Sequence, residues 1–324
     1  MIKYYSIIHI GPLPPPIGGI SNYLYRLSKL NPDYIFINEN ELSKWKFLSL
    51  LKQKQKHFYY HSPSLKKRLF IWFLCIVTDN QFSLVIHGDS LKDSYLQGNI
   101  LTRFLIKNML CQAASIQVVN SGIAEFIRNE IKLELPNITI QHAFLPPPSG
   151  DEKKILESYS GKIPNFINNH KPLIIANGAF ITFKDGVDLY GLDMCIELVA
   201  RLKLEYPDIG LLFALAELND QEYFILLTKR IKSLRISDHI FFMTGQKELW
   251  PLFKQADLMV RPTYSDGYGI SIAEALYFGC PAVASNVCER PEGTVLFRNR
   301  DLDDLVCKCT EVIKDSRKNH AEEM

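Results

Sequence analysis

The sequence predicts an α/β protein built from two doubly wound, Rossmann-like domains. Three observations carry that expectation. Short apolar strands alternate with amphipathic helices along most of the chain, which implies βαβ units and parallel sheets. The chain has 324 residues, 47% of them hydrophobic, enough for two domains with a core each. Near the middle, Pro146-Pro147-Pro148-Ser149-Gly150 and a charged cluster break the alternation. The domains are therefore expected over 1–160 and 161–324.

In the first half, Tyr4 to Ile10 reads as a buried strand. It runs into a loop of prolines and glycines, Gly11 to Gly19. Helical spacing then begins at Ile20, with Tyr23, Leu24, Leu27 and Leu30 on one face. Ser83 to His87 is a second strand, Leu101 to Ala113 a helix, and Ser115 to Val119 a strand. Asn120-Ser121 follows as a helix cap or a ligand contact before a helix near Ile123. In the second half, strands are expected at 173–177, 210–216, 239–243, 258–260 and 282–285. Helices are expected at 192–205, 221–233, 248–255 and 271–278. Ligands in such sheets bind beyond the carboxyl ends of strands. The loops to read are those after Ile10, His87, Asn177, Thr244 and Val260.

Bulk composition narrows the classes. A net charge of +2 calls for no polyanionic partner, and no nucleic-acid recognition motif is present. Seven scattered cysteines form no CxxC pair, so they read as core thiols in a reducing compartment. The longest apolar run, Leu69 to Val77, is far short of the ~20 residues a bilayer needs. The N-terminal apolar segment is too short for a signal peptide. A cytoplasmic protein is expected.

The densest chemical signal is Arg261-Pro-Thr-Tyr-Ser-Asp266-Gly-Tyr-Gly-Ile-Ser-Ile-Ala-Glu274, which follows a strand and opens a helix. Gly267 and Gly269 permit close approach of a ligand to the backbone. Free N–H groups and the positive helix end suit a diphosphate. Asp266 and Glu274 flank that helix start as hydroxyl acceptors. Ser271-Ile-Ala-Glu274 also fits a capping box, in which Glu274 only closes the helix start.

This segment resembles the GT4 glycosyltransferases, whose motif is two acidic residues separated by seven in a stretch like EGFGLPxLEAMAxGxPVVAS. Here it reads SDGYGISIAEALYFGCPAVAS, with Asp266 and Glu274 in the acidic positions and Gly267, Gly269, Ala275, Gly279, Pro281 and Ser285 matching. The resemblance implies a GT-B fold, two domains facing across a cleft, with the acceptor on the N-terminal side and the nucleotide-sugar donor on the C-terminal side. It implies that Glu274 binds the ribose, that Asp266 contacts the donor sugar, and that Tyr268 and Ile270 line the donor. Gly18 and Gly19 look like the family's first loop, which approaches the donor phosphate. His87 falls where members carry a histidine beside the donor sugar; its alternative is a semi-buried structural histidine.

The implied activity is retaining, metal-independent hexosyl transfer from a nucleotide-sugar to a saccharide or lipid-linked saccharide, in the setting of lipopolysaccharide or capsule assembly. No cofactor is expected, since the nucleotide-sugar is a substrate. One departure stands out. The family supplies an Arg and a Lys to the diphosphate in a segment like GRLxxxKG, whereas Ala179 or Phe180 and Tyr190 stand here. Lys184 or Arg261 would have to replace them. A non-catalytic nucleotide-sugar-binding protein and a nucleotide-sugar epimerase remain as alternatives.

From Leu42 to Thr78 there is no acidic residue, while Lys44, Lys46, Lys52, Lys54, Lys56, Lys66, Lys67 and Arg68 alternate with aromatics such as Trp45, Phe47, Trp72 and Phe73. The 44–73 stretch reads either as a peripheral contact with the inner face of an anionic membrane or as surface lysines over a core helix. The segment Cys288 to Phe297 resembles the family's closing segment before its last strand, and the helix that in the family crosses back onto the N-terminal domain is expected to be short or missing.

Overall fold

The computed structural model describes residues 5–41 and 54–322, with side chains to 316. The chain divides into two compact units, Met1–Leu145 and Pro146–Met324.

The first unit holds β1 (Ser6–Gly11), α1 (Gly19–Leu30), β2 (Ile35–Asn38), β3 (Lys56–Tyr60), α2 (Leu65–Val77), β4 (Gln81–Ile86), α3 (Ser90–Leu96), α4 (Ile100–Gln112), β5 (Ser115–Val118), α5 (Ser121–Asn129) and β6 (Ile138–Ile140). Its six strands are parallel, in the order β2-β1-β3-β4-β5-β6. Covered on both faces, the central strands carry near-continuous apolar runs: Ile8, Ile10, Leu84 and Ile86 are all buried. Asn120 caps α5, its side chain accepting from Ile123 N at 3.0 Å.

Part of the basic, aromatic stretch is core. Phe58 and Tyr60 on β3 are core, and Arg68 on α2 is itself buried. Phe70, Phe73, Ile76 and Val77 on the same helix face outward. Lys44, Trp45, Lys46, Phe47 and Lys52 lie outside the described residues.

The second unit holds α6 (Glu152–Glu157), α7 (Lys162–Asn169), β7 (Leu173–Phe180), a small antiparallel pair β8 (Phe183–Lys184) and β9 (Val187–Asp188), then α8 (Leu192–Leu202), β10 (Gly210–Glu217), α9 (Gln221–Ser233), β11 (Ile240–Thr244), β12 (Leu258–Arg261), α10 (Ile270–Tyr277), β13 (Ala282–Ser285), β14 (Val295–Phe297) and α11 (Leu302–Glu322). The parallel sheet runs β11-β10-β7-β12-β13-β14. That is the doubly wound order in which the chain reverses direction beside its first strand, here between β7 and β12. One apolar cluster packs on each face of the sheet, around Val199 and Phe213 on one side and Trp250 and Phe253 on the other.

Residues 146–160, placed by the sequence in the first domain, pack in the second. Tyr159 donates to Glu248 O at 2.7 Å, and Lys254 meets Glu152 at 2.7 Å. The helix expected over 248–255 is a short 3-10 segment, Trp250–Gln255, with Pro251 in its first turn where the missing N–H costs nothing. The closing helix α11 runs 21 residues and belongs to the second unit. It packs on α8 and β14, with Arg201–Asp303 and Lys314–Glu205 ion pairs at 2.9 and 3.0 Å.

Candidate functional site

The chemistry concentrates where β7 and β12 diverge. Strand β12 ends at Arg261, a loop covers 262–269, and α10 starts at Ile270. Gly269 is the cap of α10 at φ +93°, a conformation that favours glycine. A Cβ there would lie 2.7 Å from Ile272 Cδ1. Its carbonyl accepts from Ile272 N and Ala273 N at 3.0 and 3.2 Å. With Gly269 in the cap position, Ser271 sits inside the first turn and the expected capping box does not form. The Ser271 hydroxyl accepts instead from Arg261 Nη1 at 3.4 Å. Glu274, fifth in the helix, is buried, as is Tyr268.

Asp266 is the hub of the loop. Its Oδ2 accepts from Arg261 Nε at 2.6 Å, Arg290 Nη1 at 2.7 Å and the Thr263 hydroxyl at 3.3 Å. Its Oδ1 accepts from Gly267 N at 2.9 Å. Burial alone would raise this carboxyl, but Arg261 and then Arg290 outweigh it and hold Asp266 well below the usual carboxylate range. Most of its acceptor capacity is thus spent on the protein. Of its two oxygens, Oδ2 accepts three of these hydrogen bonds and Oδ1 one.

Arg290 was not among the residues singled out from the sequence. Its Nε and both Nη groups donate to Ser285 O, Asp266, Tyr268 O, Thr263 Oγ1 and Ser285 Oγ at 2.7–3.5 Å. All five N–H groups are engaged, which makes it a clamp on the loop rather than a ligand group. The available signal is positional: Arg290 lies in the loop after β13, at the same carboxyl edge as Asp266.

Arg261 stands differently. Besides Asp266 and Ser271 it reaches Asn177 Oδ1 at 3.1 Å, at the edge of β7 near which the missing family arginine would project. Its guanidinium lies over the Tyr190 ring, 5.9 Å from the centroid. Tyr190 in turn packs on Gly178, where a Cβ would sit 3.0 Å from the ring. Its contacts run through Nε and Nη1, and among the described residues nothing accepts a hydrogen bond from Nη2. Lys184, on β8, donates to Ser265 Oγ at 3.0 Å. The structure therefore brings Lys184, Arg261, Asp266, Gly267, Tyr268, Gly269, Ile270 and Glu274 to one edge of the second unit.

Gly18, Gly19 and His87 belong to the first unit. Gly18 is the extended cap of α1, φ −168°, and a Cβ there would touch only Ser21 Oγ at 3.8 Å, so its conformation does not demand glycine. His87 directly follows β4. Its Nε2 lies 3.0 Å from His61 Nδ1, and Tyr23 of α1 packs edge-on at 5.2 Å between centroids. Burial, then the nearby Arg68 charge, pushes the His87 imidazole down to about 3, so it is neutral at pH 7. Among the described residues no group of three or more His, Cys, Asp or Glu side chains is arranged to hold a metal ion.

The family model described as glycosyl transferases group 1 matches residues 168–322. The lipopolysaccharide glucosyltransferase WaaG of Escherichia coli (strain K12) is 27% identical over 153 residues, 44% of this chain and 37% of that protein, so the match spans little more than a third of the relative. Among solved structures, Anabaena HepE in complex with UDP superposes with a TM-score of 0.69 at 12% identity, over 97% of this chain and 91% of HepE. Sucrose-phosphate synthase from Thermosynechococcus elongatus gives 0.67 at 13%, over 96% and 90%. These structural likenesses establish the fold of two Rossmann-like units. Residues 168–322, the stretch that matches the glycosyl transferases group 1 model, contain the whole of the Asp266 loop.

Proposed function

We propose that the chain is a glycosyltransferase that moves a hexosyl group from a nucleotide-sugar to a saccharide or lipid-linked saccharide acceptor, with retention and without a metal ion. The observation that carries this is the convergence of Arg261 Nη2, Lys184 and the first turn of α10 on one loop. A departing nucleoside diphosphate develops negative charge, and preorganised donors at that point are worth about 10²–10³ each in rate. Arg261 and Lys184 take the part that the family's arginine and lysine play. Glu274 accepts from the ribose hydroxyls, and Asp266 fixes Arg261 while offering Oδ1 to a sugar hydroxyl. For the first unit the resemblance is carried over unchanged: Gly18 and Gly19 to a phosphate, His87 to a sugar. WaaG is named as a lipopolysaccharide glucosyltransferase and HepE was solved with UDP, which favours a UDP-sugar donor and a surface-polysaccharide acceptor.

The same reading includes peripheral contact with the inner face of the cytoplasmic membrane. Phe70, Phe73, Ile76 and Val77 of α2 are exposed beside Lys66 and Lys67, and α4, which packs on α2, exposes Ile100, Leu101 and Phe104. Lys67 pairs with Glu39 at 3.4 Å; exposed apolar side chains beside surface lysines suit an anionic lipid surface. No described helix is long and apolar enough to cross a membrane.

The test is a titration of the purified chain with UDP, GDP, ADP and dTDP, repeated with Glu274→Ala. One nucleotide should bind tightly, and the variant should lose roughly 10–100-fold, the worth of a hydrogen bond to an ionised carboxylate. Turnover of the matching donor in EDTA, with the product anomer read by NMR, then tests metal independence and retention. Binding without turnover would favour a non-catalytic partner. No binding of any nucleotide would sink the proposal.

A further inference from the structure

Three imidazoles form a line across the sheet of the first unit. Strand register explains how. His9 on β1 lies opposite Tyr59 on β3, and Tyr59 lies opposite Ser83 on β4. Side chains alternate faces along a strand, so His61, two beyond Tyr59, and His87, four beyond Ser83, share the face of His9. His9 Nδ1 lies 2.9 Å from His61 Nε2, and His61 Nδ1 lies 3.0 Å from His87 Nε2. Gly11 lets this happen, since a Cβ there would lie 2.9 Å from His61 Cβ. His9 stacks against Tyr34, Phe36 and Tyr59 at 4.9–5.6 Å between centroids. The outer nitrogens, His9 Nε2 and His87 Nδ1, are buried with no hydrogen-bond partner.

All three rings are neutral at pH 7. Burial, then His57, pushes His9 down to about 4; burial, then Arg68, pushes His87 down to about 3. His61 falls well below its ordinary value through burial, then His87 and His9. Each neutral imidazole carries one N–H. Three hydrogens are therefore distributed over four positions: two ring-to-ring bonds and two outer nitrogens. Each ring-to-ring bond needs one hydrogen and holds no more. If His9 donates from Nδ1, His61 must donate from Nδ1 to His87, and His87 then carries its hydrogen on Nδ1. If His87 donates from Nε2, the same logic runs back and leaves the hydrogen on His9 Nε2. The three rings are all Nδ1–H or all Nε2–H, and no mixed arrangement keeps both bonds.

We propose that His61 and His9 are positioning residues that fix, as a single two-state unit, whether His87 presents a hydrogen-bond donor or an acceptor at Nδ1 to a sugar hydroxyl. The proposal rests on the reading of His87 as a sugar-facing residue. The collective tautomer itself needs no ligand and can be tested without one.

The experiment is long-range ¹H–¹⁵N correlation of the full-length, histidine-labelled chain at pH 7, with signals assigned from His9→Gln, His61→Gln and His87→Gln. The expected result is one shared tautomer for His9, His61 and His87. Mixed tautomers, or an imidazolium among the three, would overturn the proposal, and the native spectrum decides this even if a variant fails to fold. In His61→Phe, His87 should populate both tautomers. Nucleotide affinity should stay within about twofold while kcat falls roughly 10-fold or more at an unchanged KM, the loss of one oriented hydrogen bond. A His87 tautomer unmoved by His61→Phe would also overturn it. Failure of the native chain to bind any nucleotide would count against the transferase reading, a result separate from the spectra.

Discussion

Replacing Asp266 by Asn keeps the shape of the loop and removes the charge that two arginines share. The Arg290 side chain is 1% exposed and the Arg261 side chain 12%, so neither can turn to water for compensation. Removing one partner of a buried pair costs about 3–5 kcal/mol, because the other charge is left uncompensated. With two guanidiniums left facing each other, D266N belongs in the upper part of that range, about 4–5 kcal/mol. A domain of 150–250 residues loses roughly 2–4 °C per kcal/mol, so the second unit should melt ~8–20 °C lower. Calorimetry and urea unfolding of the full chain at pH 7 measure this. The pH dependence gives a second check. The folded carboxyl lies below its unfolded value, so its contribution is fully present above about pH 4 and is lost as pH falls further. The gap between native protein and D266N should therefore narrow on acidification below pH 4. In the D266N background, Arg290→Met should recover part of the loss by removing an orphaned charge. A cost under about 1 kcal/mol at pH 7, or a gap that does not change down to pH 3, would refute the claim that this carboxylate is an ionised, shared counter-charge.

Three other outcomes follow from the same geometry. Arg261→Lys keeps a charge but cannot hold Asp266 and Asn177 while offering two further N–H groups, so nucleotide affinity measured by calorimetric titration should weaken about 10-fold. Gly269→Ala combines a left-handed backbone with a 2.7 Å approach to Ile272 and should cost about 1–3 kcal/mol in urea unfolding. Phe70→Ser with Phe73→Ser should leave stability nearly unchanged, since both rings face outward, and should reduce co-sedimentation with anionic vesicles several-fold; unchanged sedimentation would remove α2 from the membrane reading.

The parts of the site that were legible in the sequence are those adjacent along the chain. Arg261, Asp266, Gly269 and Glu274 fall within one strand–loop–helix, and local patterning places them together without knowledge of the sheet. Asn177 and Arg290 come from loops far away in sequence, and only the strand order β7-β12-β13 brings them to Asp266. The histidine line was invisible for the same reason: three single residues on three strands meet only once register is known. Strand β3 escaped notice because its alternation, Phe58 and Tyr60 on one face and His57 and Tyr59 on the other, lies within a run of lysines. Helix α2 was masked by its composition, which is apolar on nearly every face and gives little helical period to read. The capping-box alternative at Ser271 fails because the left-handed Gly269 already takes the cap.

The clamp on Asp266 has a consequence for the order in which the protein matures. The loop at 262–269 leaves the ribosome with one of its two arginines; the other follows only when residue 290 has been made. Until then a buried carboxylate has half its counter-charge, and Thr263 and Ser285 lack the guanidinium that joins them. Domains fold from the N-terminus as the chain is made. The first unit can be complete long before, while a nascent chain stopped short of Arg290 should hold an unfinished nucleotide site. On the proposed reading, a chain that has not yet reached Arg290 cannot hold an activated sugar at this loop, so the site is completed by synthesis of residue 290 and not by that of the loop itself.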